Sequence, residues 1–236
     1  MDSLEVALIS GCVIALAILL WRRPGRSPLA QILPRGAVQP LHRVRRGRVY
    51  VRGLARTQAS TLRGPFTDEP VLAYRVLVER RDGQHHWTVM LDHSEAVDFE
   101  LVGEGVTAEV TATGALLILG REIRPSRKPG DPFPPAVRDL LVRLCQYAPA
   151  DHDASRFRWS EFHVGDGDEL HIIAEASVVP ARDGRQTLGG GAYRGTPAAL
   201  ALRGTPSQPL VIFDQDRESL LGLLALPQGG RMIPRR

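Results

Sequence analysis

The sequence predicts a mainly β (α+β) chain: an N-terminal transmembrane helix, then a β-rich, OB-like barrel domain with two short helices. Three observations carry this expectation. The first 21 residues, MDSLEVALISGCVIALAILLW, hold no charge from Val6 to Trp21. From Arg48 onward apolar residues recur with a period of two, the signature of half-buried strands. Only two stretches, one after Pro134 and one near Leu220, show the helical period instead.

The apolar run comes first. At 1.5 Å rise per residue, a helix from Leu4 to Trp21 reaches about 27 Å, close to the hydrocarbon thickness of a bilayer. The anchor side chains are Leu4, Val6, Leu8, Ile9, Val13, Ile14, Leu16, Ile18, Leu19 and Leu20, with Trp21 at the interface. A cleaved signal peptide fits poorly, because acidic Asp2 and Glu5 lead the run and Leu20-Trp21-Arg22-Arg23 is no cleavage site. A buried helix of a globular domain would carry a polar stripe, and none is visible.

Charge sets the expected orientation. Residues 22–66 hold eleven arginines and no Asp or Glu. Of 30 basic and 26 acidic residues in the chain, these eleven and the pair Asp2 and Glu5 belong to the N-terminal part, so residues 67–236 are net negative. The positive-inside rule then places the N-terminus outside and the rest in the cytoplasm. Arg22, Arg23 and Arg26 are the expected head-group contacts, with an anionic bilayer as partner. Nucleic acid is a poor partner for this patch, since no aromatic residue interleaves it between Arg22 and Tyr50.

Residues 22–47 read as a basic juxtamembrane linker broken by Pro24, Pro28, Pro34 and Pro40. Residues 48–226 form the β domain, and 227–236 a basic tail. A first strand alternates Val49, Val51 and Leu54 with Arg48, Tyr50 and Arg52, and ends at Gly53. A turn at Gly64–Pro70 follows. Val71–Arg81 is a long strand with two faces, and Asp82-Gly83 turns it back into His86–Leu91. Further strands fit Val97–Val102, Val106–Ala112 and Ala115–Leu119. Pro134-Pro135 opens a helix whose stripe is Val137, Leu140, Leu141 and Leu144, closed at Ala148-Pro149. The β period returns at Phe157–Phe162, turns at Gly165-Asp166-Gly167-Asp168, and runs on through Glu169–Val179. Short strands fit Ala199–Arg203 and Leu210–Phe213. A last helix carries Leu220, Leu221 and Leu224.

Motifs with chemical potential each have a plainer reading. Asp92-His93-Ser94 holds triad residue types, but neighbours in one strand do not converge. His85-His86 point to opposite faces, and His163 and His171 flank a turn. Asp166, Asp168 and Glu169 suit a hard cation but form a hairpin turn first. Gly189–Gly191 lacks the lysine of a phosphate loop. Arg75, Arg80 and Arg81 read as a solvated edge. Tyr50, Tyr74, Trp87, Phe99, Trp159 and Phe162 read as core. Cys12 and Cys145 support neither a disulfide framework nor a thiolate zinc site. The expected catalytic, cofactor and metal sets are therefore empty.

Gly53-Leu54-Ala55, Pro65-Phe66-Thr67, Pro70 through Val76 and Trp87 resemble the opening of the GIDE domain. Val164 through Ala174, Tyr193-Arg194 and Leu210 through Asp214 resemble its later blocks. That domain occurs in membrane-anchored ubiquitin ligase-like proteins of the GIDE/Mulan type and in prokaryotic homologues. The resemblance implies a prokaryotic-type member without the RING: no set of eight Cys/His ligands follows Leu226. It also departs at Phe99–Val110, where the family's Asp and Thr are missing.

The function expected from these readings is a non-catalytic, membrane-anchored module facing the cytoplasm, which recruits or senses an unidentified protein. The resemblance implies one alternative, a component of a ubiquitin-like ligase system. An OB-type oligonucleotide binder is the other.

Overall fold

The computed structural model describes residues 37–82, 86–120, 122–123, 134–150, 156–180 and 198–215. All lie in the unit Ala37–Gln215. A 3-10 turn at Leu41–Arg43 leads into β1 (Gly47–Thr57), then β2 (Leu62–Arg63), β3 (Pro70–Val71), β4 (Ala73–Asp82) and β5 (His86–Ala96). Next come β6 (Phe99–Gly103), β7 (Val106–Val110), β8 (Leu116–Ile118) and β9 (Glu122–Ile123). The helix α1 (Pro135–Cys145) separates these from β10 (Phe157–Val164), β11 (Glu169–Pro180), β12 (Ala198–Arg203) and β13 (Val211–Phe213).

Five strands close on themselves in the order β1-β6-β7-β12-β11, and β11 pairs back onto β1. Every pairing in this barrel is antiparallel except β7 with β12. Alternation explains the filling. Val49, Val51 and Ala55 from β1 and Leu170, Ile172, Ala174 and Ala176 from β11 meet Phe99, Leu101, Ala108, Val110, Leu200 and Leu202 in one core. These residues sit an even number of positions apart along each strand, so one face of each strand supplies them all. The interior is occupied by side chains, as in other small closed barrels.

Gly53 does not end the first strand, contrary to the sequence expectation; β1 runs through it to Thr57. Just beyond it β1 changes neighbours: Leu54 is paired with both Glu169 of β11 and Val102 of β6. At this handover the backbones approach so closely that a Cβ on Gly53 would stand 2.8 Å from the Val102 carbonyl oxygen and 2.9 Å from Leu101 Cγ. A glycine in a strand marks such an approach.

A second sheet has the order β5-β4-β10-β9, antiparallel throughout. One face buries Val76, Val78, Leu91, Phe157 and Trp159 against Val137, Leu140 and Leu141 of α1. The helix ends at Gln146, whose left-handed conformation (φ 53°) stops it before the expected Ala148-Pro149. Leu144, expected in the buried stripe, is 45% exposed. β5 runs five residues past the predicted Leu91, so Asp92, His93 and Ser94 lie in a strand.

The expected fold class is corrected. The described architecture is β-rich with a closed five-stranded barrel and one α-helix, and no helix among the described residues is long and apolar enough to cross a membrane. The predicted span at residues 1–21 and the second predicted helix near Leu220 lie outside the described residues, as do the Gly189–Gly191 loop and the basic tail.

Replacing Gly53 with alanine is expected to lower stability by about 1–3 kcal/mol, because the obstructing atom is backbone and the core is already filled. A denaturant titration followed by circular dichroism measures it; an unchanged midpoint would contradict the close approach.

Candidate functional site

The residues that the sequence singles out for the membrane, Leu4 through Trp21 with Arg22, Arg23 and Arg26, all lie outside the described residues. The remaining candidates are placed, and most are held in local structure. In β5, Asp92 sits opposite Leu77 and Ser94 opposite Arg75, whereas His93 sits opposite Val76 on the other face of the sheet. Asp92 instead takes two hydrogen bonds from the Arg75 guanidinium, both 2.7 Å. The triad residue types therefore do not meet.

The Gly165–Asp168 segment is a turn with all its acids engaged. Gly167 has φ +89°, and its amide donates to the Ala55 carbonyl at 2.8 Å. Asp166 accepts the Thr57 amide at 2.7 Å and the Arg56 guanidinium at 3.0 Å, and these hold its carboxyl below the usual range. Asp168 accepts the Gly165 amide at 2.7 Å, and Glu169 pairs with Arg52 at 3.1 Å. His171, in a different sheet from His163, is buried with its Nδ1 2.8 Å from the Tyr50 hydroxyl and its ring stacked on Phe213. Among the described residues, no group of three or more His, Cys, Asp or Glu could hold a metal ion.

The sequence reading missed a cluster on the face of the second sheet that α1 partly covers. Strand register lines up Glu95, Tyr74 and His163 across β5, β4 and β10, and His93, Val76 and Glu161 in the next row. Directly opposed side chains on one sheet face stand about 5 Å apart, so five polar groups share one patch. The next row, Leu91, Val78 and Trp159, is apolar and belongs to the core beneath α1.

Glu161 is the deepest member, a fully buried carboxylate. Its oxygens accept the Phe66 amide at 2.6 Å and the Thr67 hydroxyl at 2.9 Å. His163 Nδ1 lies 3.5 Å away. A side chain at Gly64 would collide with both the Glu161 carboxylate and the Thr67 hydroxyl. Glu161 thus fastens the turn between β2 and β3 onto the sheet. A buried charge is tolerated only when it is hydrogen-bonded in this way.

At the other side of the patch the Tyr74 hydroxyl donates to Glu95 at 2.6 Å. Burial, and then this bond to a carboxylate, push the phenol well above its ordinary value. Burial also holds His93 below the usual imidazole range; Glu95 and Asp92 oppose the shift and Arg143 adds to it. Near neutral pH the patch therefore presents a neutral phenol and a neutral imidazole. Alternation in Tyr74-Val76-Val78, His93-Glu95 and Glu161-His163 was legible beforehand, but the register joining three separated segments was not.

Four of the six aromatics read as core are buried: Tyr50, Tyr74, Phe99 and Trp159. Trp87 and Phe162 are only half-buried. The Arg158 guanidinium lies 4.4 Å over the Trp87 ring, and Arg75 lies 6.0 Å from the Phe162 centroid. Arg158 is also paired with Glu79, one bond being 2.8 Å. The face opposite α1 thus carries two guanidinium groups, each shared between a carboxylate and an aromatic ring.

Two outcomes test the patch. Glu161→Leu strands the Phe66 amide and the Thr67 hydroxyl, and an unsatisfied buried donor costs about 1–3 kcal/mol; Glu161→Gln keeps an acceptor oxygen for the Phe66 amide and can donate its own amide to the Thr67 hydroxyl oxygen, and is expected to lose less, as measured by denaturant unfolding. For His93, the folded value lies below the unfolded one, so the unfolded chain takes up the proton first. Its stabilising contribution is then complete above the ordinary imidazole range and declines as pH falls through that range. Imidazole NMR titration should give a midpoint below 6.5, and His93→Gln should flatten that part of the stability profile. Comparison with known protein families, with curated proteins and with solved structures gives no match.

Proposed function

We propose that the chain is a non-catalytic interaction or sensing module that works beside an anionic membrane surface. The observation that carries this reading is the filled barrel. Its interior is occupied by Leu, Ile, Val, Ala and Phe side chains, so what the domain offers a partner is its outside. Ionisable groups of the second sheet are spent on one another: Arg75 with Asp92 and Arg158 with Glu79 on one face, and the buried Tyr74 with Glu95 on the other. Catalytic groups are arranged to meet a substrate, whereas these are arranged to stiffen a surface.

The membrane part of the proposal rests on sequence. The uncharged run Val6–Trp21 and the arginines that follow it, Arg22, Arg23 and Arg26, are the composition of a chain held at a bilayer, with cationic residues against anionic head groups. The positive-inside rule assigns the β domain to the cytoplasmic side. The buried aromatics support protein over oligonucleotide as the partner, since stacking on bases needs exposed rings. Trp87, one of the two half-buried rings, already carries the Arg158 guanidinium over its face.

In fractionated cells the full-length protein should pellet with membranes, resist a high-salt wash and be released by detergent. A C-terminal reporter should be shielded from external protease. Recovery in the high-speed supernatant without detergent would overturn the membrane reading.

A further inference from the structure

We propose that the end of the barrel carrying Arg43, Arg45 and Arg46 lies against the anionic bilayer surface and holds the domain in one orientation. This deepens the membrane reading and rests on it.

The segment that carries these arginines is pinned to the barrel. Leu41 and Val44 are buried in its core, and a parallel bridge sets Gln39 beside Val51. The Arg43 and Val44 amides donate to the Pro40 and Leu41 carbonyls at 2.9 and 3.1 Å. His42, Arg43, Arg45 and Arg46 are all exposed. The two apolar plugs therefore fix the backbone, and the cations beside them point out of it.

Strand direction gives their place. β11 is antiparallel to β1, β12 is antiparallel to β11, and β7 is parallel to β12. The start of β1, the end of β11, the start of β12 and the turn from β6 into β7 thus share one end. Arg45 and Arg46 directly precede β1, and His42 Nδ1 is 2.7 Å from Glu104 of the β6–β7 turn. The other end holds Thr57 and the Gly165–Asp168 turn.

Charge and reach select the occupant. Arg52, Arg56, Arg63, Arg75, Arg80 and Arg158 each pair with a carboxylate. Among the described residues, no carboxylate pairs with Arg43, Arg45 or Arg46. Glu104, the acid of the neighbouring turn, is taken up by His42. Unpaired guanidinium groups on a fixed support suit phosphate oxygens. Gln39 runs parallel to β1, so the chain enters the domain at this same end. Residues 22–36 separate the predicted span from Ala37, at most about 50 Å of chain. Lipid phosphate is therefore within reach of all three arginines. One arginine at an anionic leaflet contributes about a fivefold preference, and three contribute on the order of a hundredfold.

The test uses the full chain, with Cys12 and Cys145 replaced by serine, in lipid nanodiscs whose head groups carry an energy-transfer acceptor. A donor is attached at Val178→Cys or at Ser60→Cys. Val178 is exposed on β11, two residues before its end at the basic side; Ser60 is exposed three residues beyond β1, at the far side. In discs containing phosphatidylglycerol, transfer from position 178 should exceed transfer from position 60. The difference should vanish in phosphatidylcholine alone, at raised salt, and in the triple variant Arg43→Gln, Arg45→Gln, Arg46→Gln, whose circular dichroism should be unchanged. Equal transfer from both positions on anionic discs, or a difference that survives neutral lipid and the triple variant, overturns the orientation. Loss of the difference to a single-stranded oligonucleotide that the triple variant fails to bind overturns lipid as the occupant. A chain that neither disc retains sinks the membrane reading and this one with it, whereas a retained chain without the difference sinks the orientation alone.

Discussion

The barrel and its extension depend on β11 being hydrogen-bonded along both edges. One edge holds β1 from Gly47 to Leu54; the other holds β13 first and then β12. Twelve residues of one strand thereby join the barrel to its extension. Closure of a barrel removes free sheet edges, and with them the unpaired amides and carbonyls that invite other chains. It also fixes which residues face inward, because a one-residue slip would turn Leu170, Ile172 and Ala174 out and Glu169, His171 and Glu175 in.

The second sheet is held differently. Its pairing is secured by α1 on one face and by guanidinium–carboxylate pairs on the other, and its loop is fastened through Glu161. A buried carboxylate is a poor source of net stability, but removing one partner of its network is costly. The bonds to Phe66 and Thr67 set one position for the turn between β2 and β3. Tyr74 and Glu95 do the same for the junction of β4 with β5. The sheet is therefore specified by polar contacts, whereas the barrel is specified by packing.

Much of this was legible in the alternation of apolar residues. Val49-Val51, Val76-Val78, Leu170-Ile172 and Leu200-Leu202 announce strands and their buried faces, and Pro134-Pro135 announces the start of α1. What alternation does not carry is the neighbour of each strand. Nothing local says that β7 runs parallel to β12, or that Tyr74 lies between Glu95 and His163. Gly53 shows the same limit: by itself it reads as a strand end, and only the Val102 carbonyl against it reveals a crossing point. The transmembrane reading, by contrast, uses composition alone and concerns residues that the described fold does not include.

The pairing of the first barrel strand with its closing partner has a cost in time. Tyr50 and His171 touch across 121 positions of sequence. A ribosome adding about 5–20 residues each second needs on the order of ten seconds to supply the second strand after the first. Through that interval Val49, Val51 and Ala55 have no completed interior to enter, and contacts of such long range form slowly even once the chain is whole. Until β11 and β12 emerge, the apolar face of β1 stays without the strands that close over it.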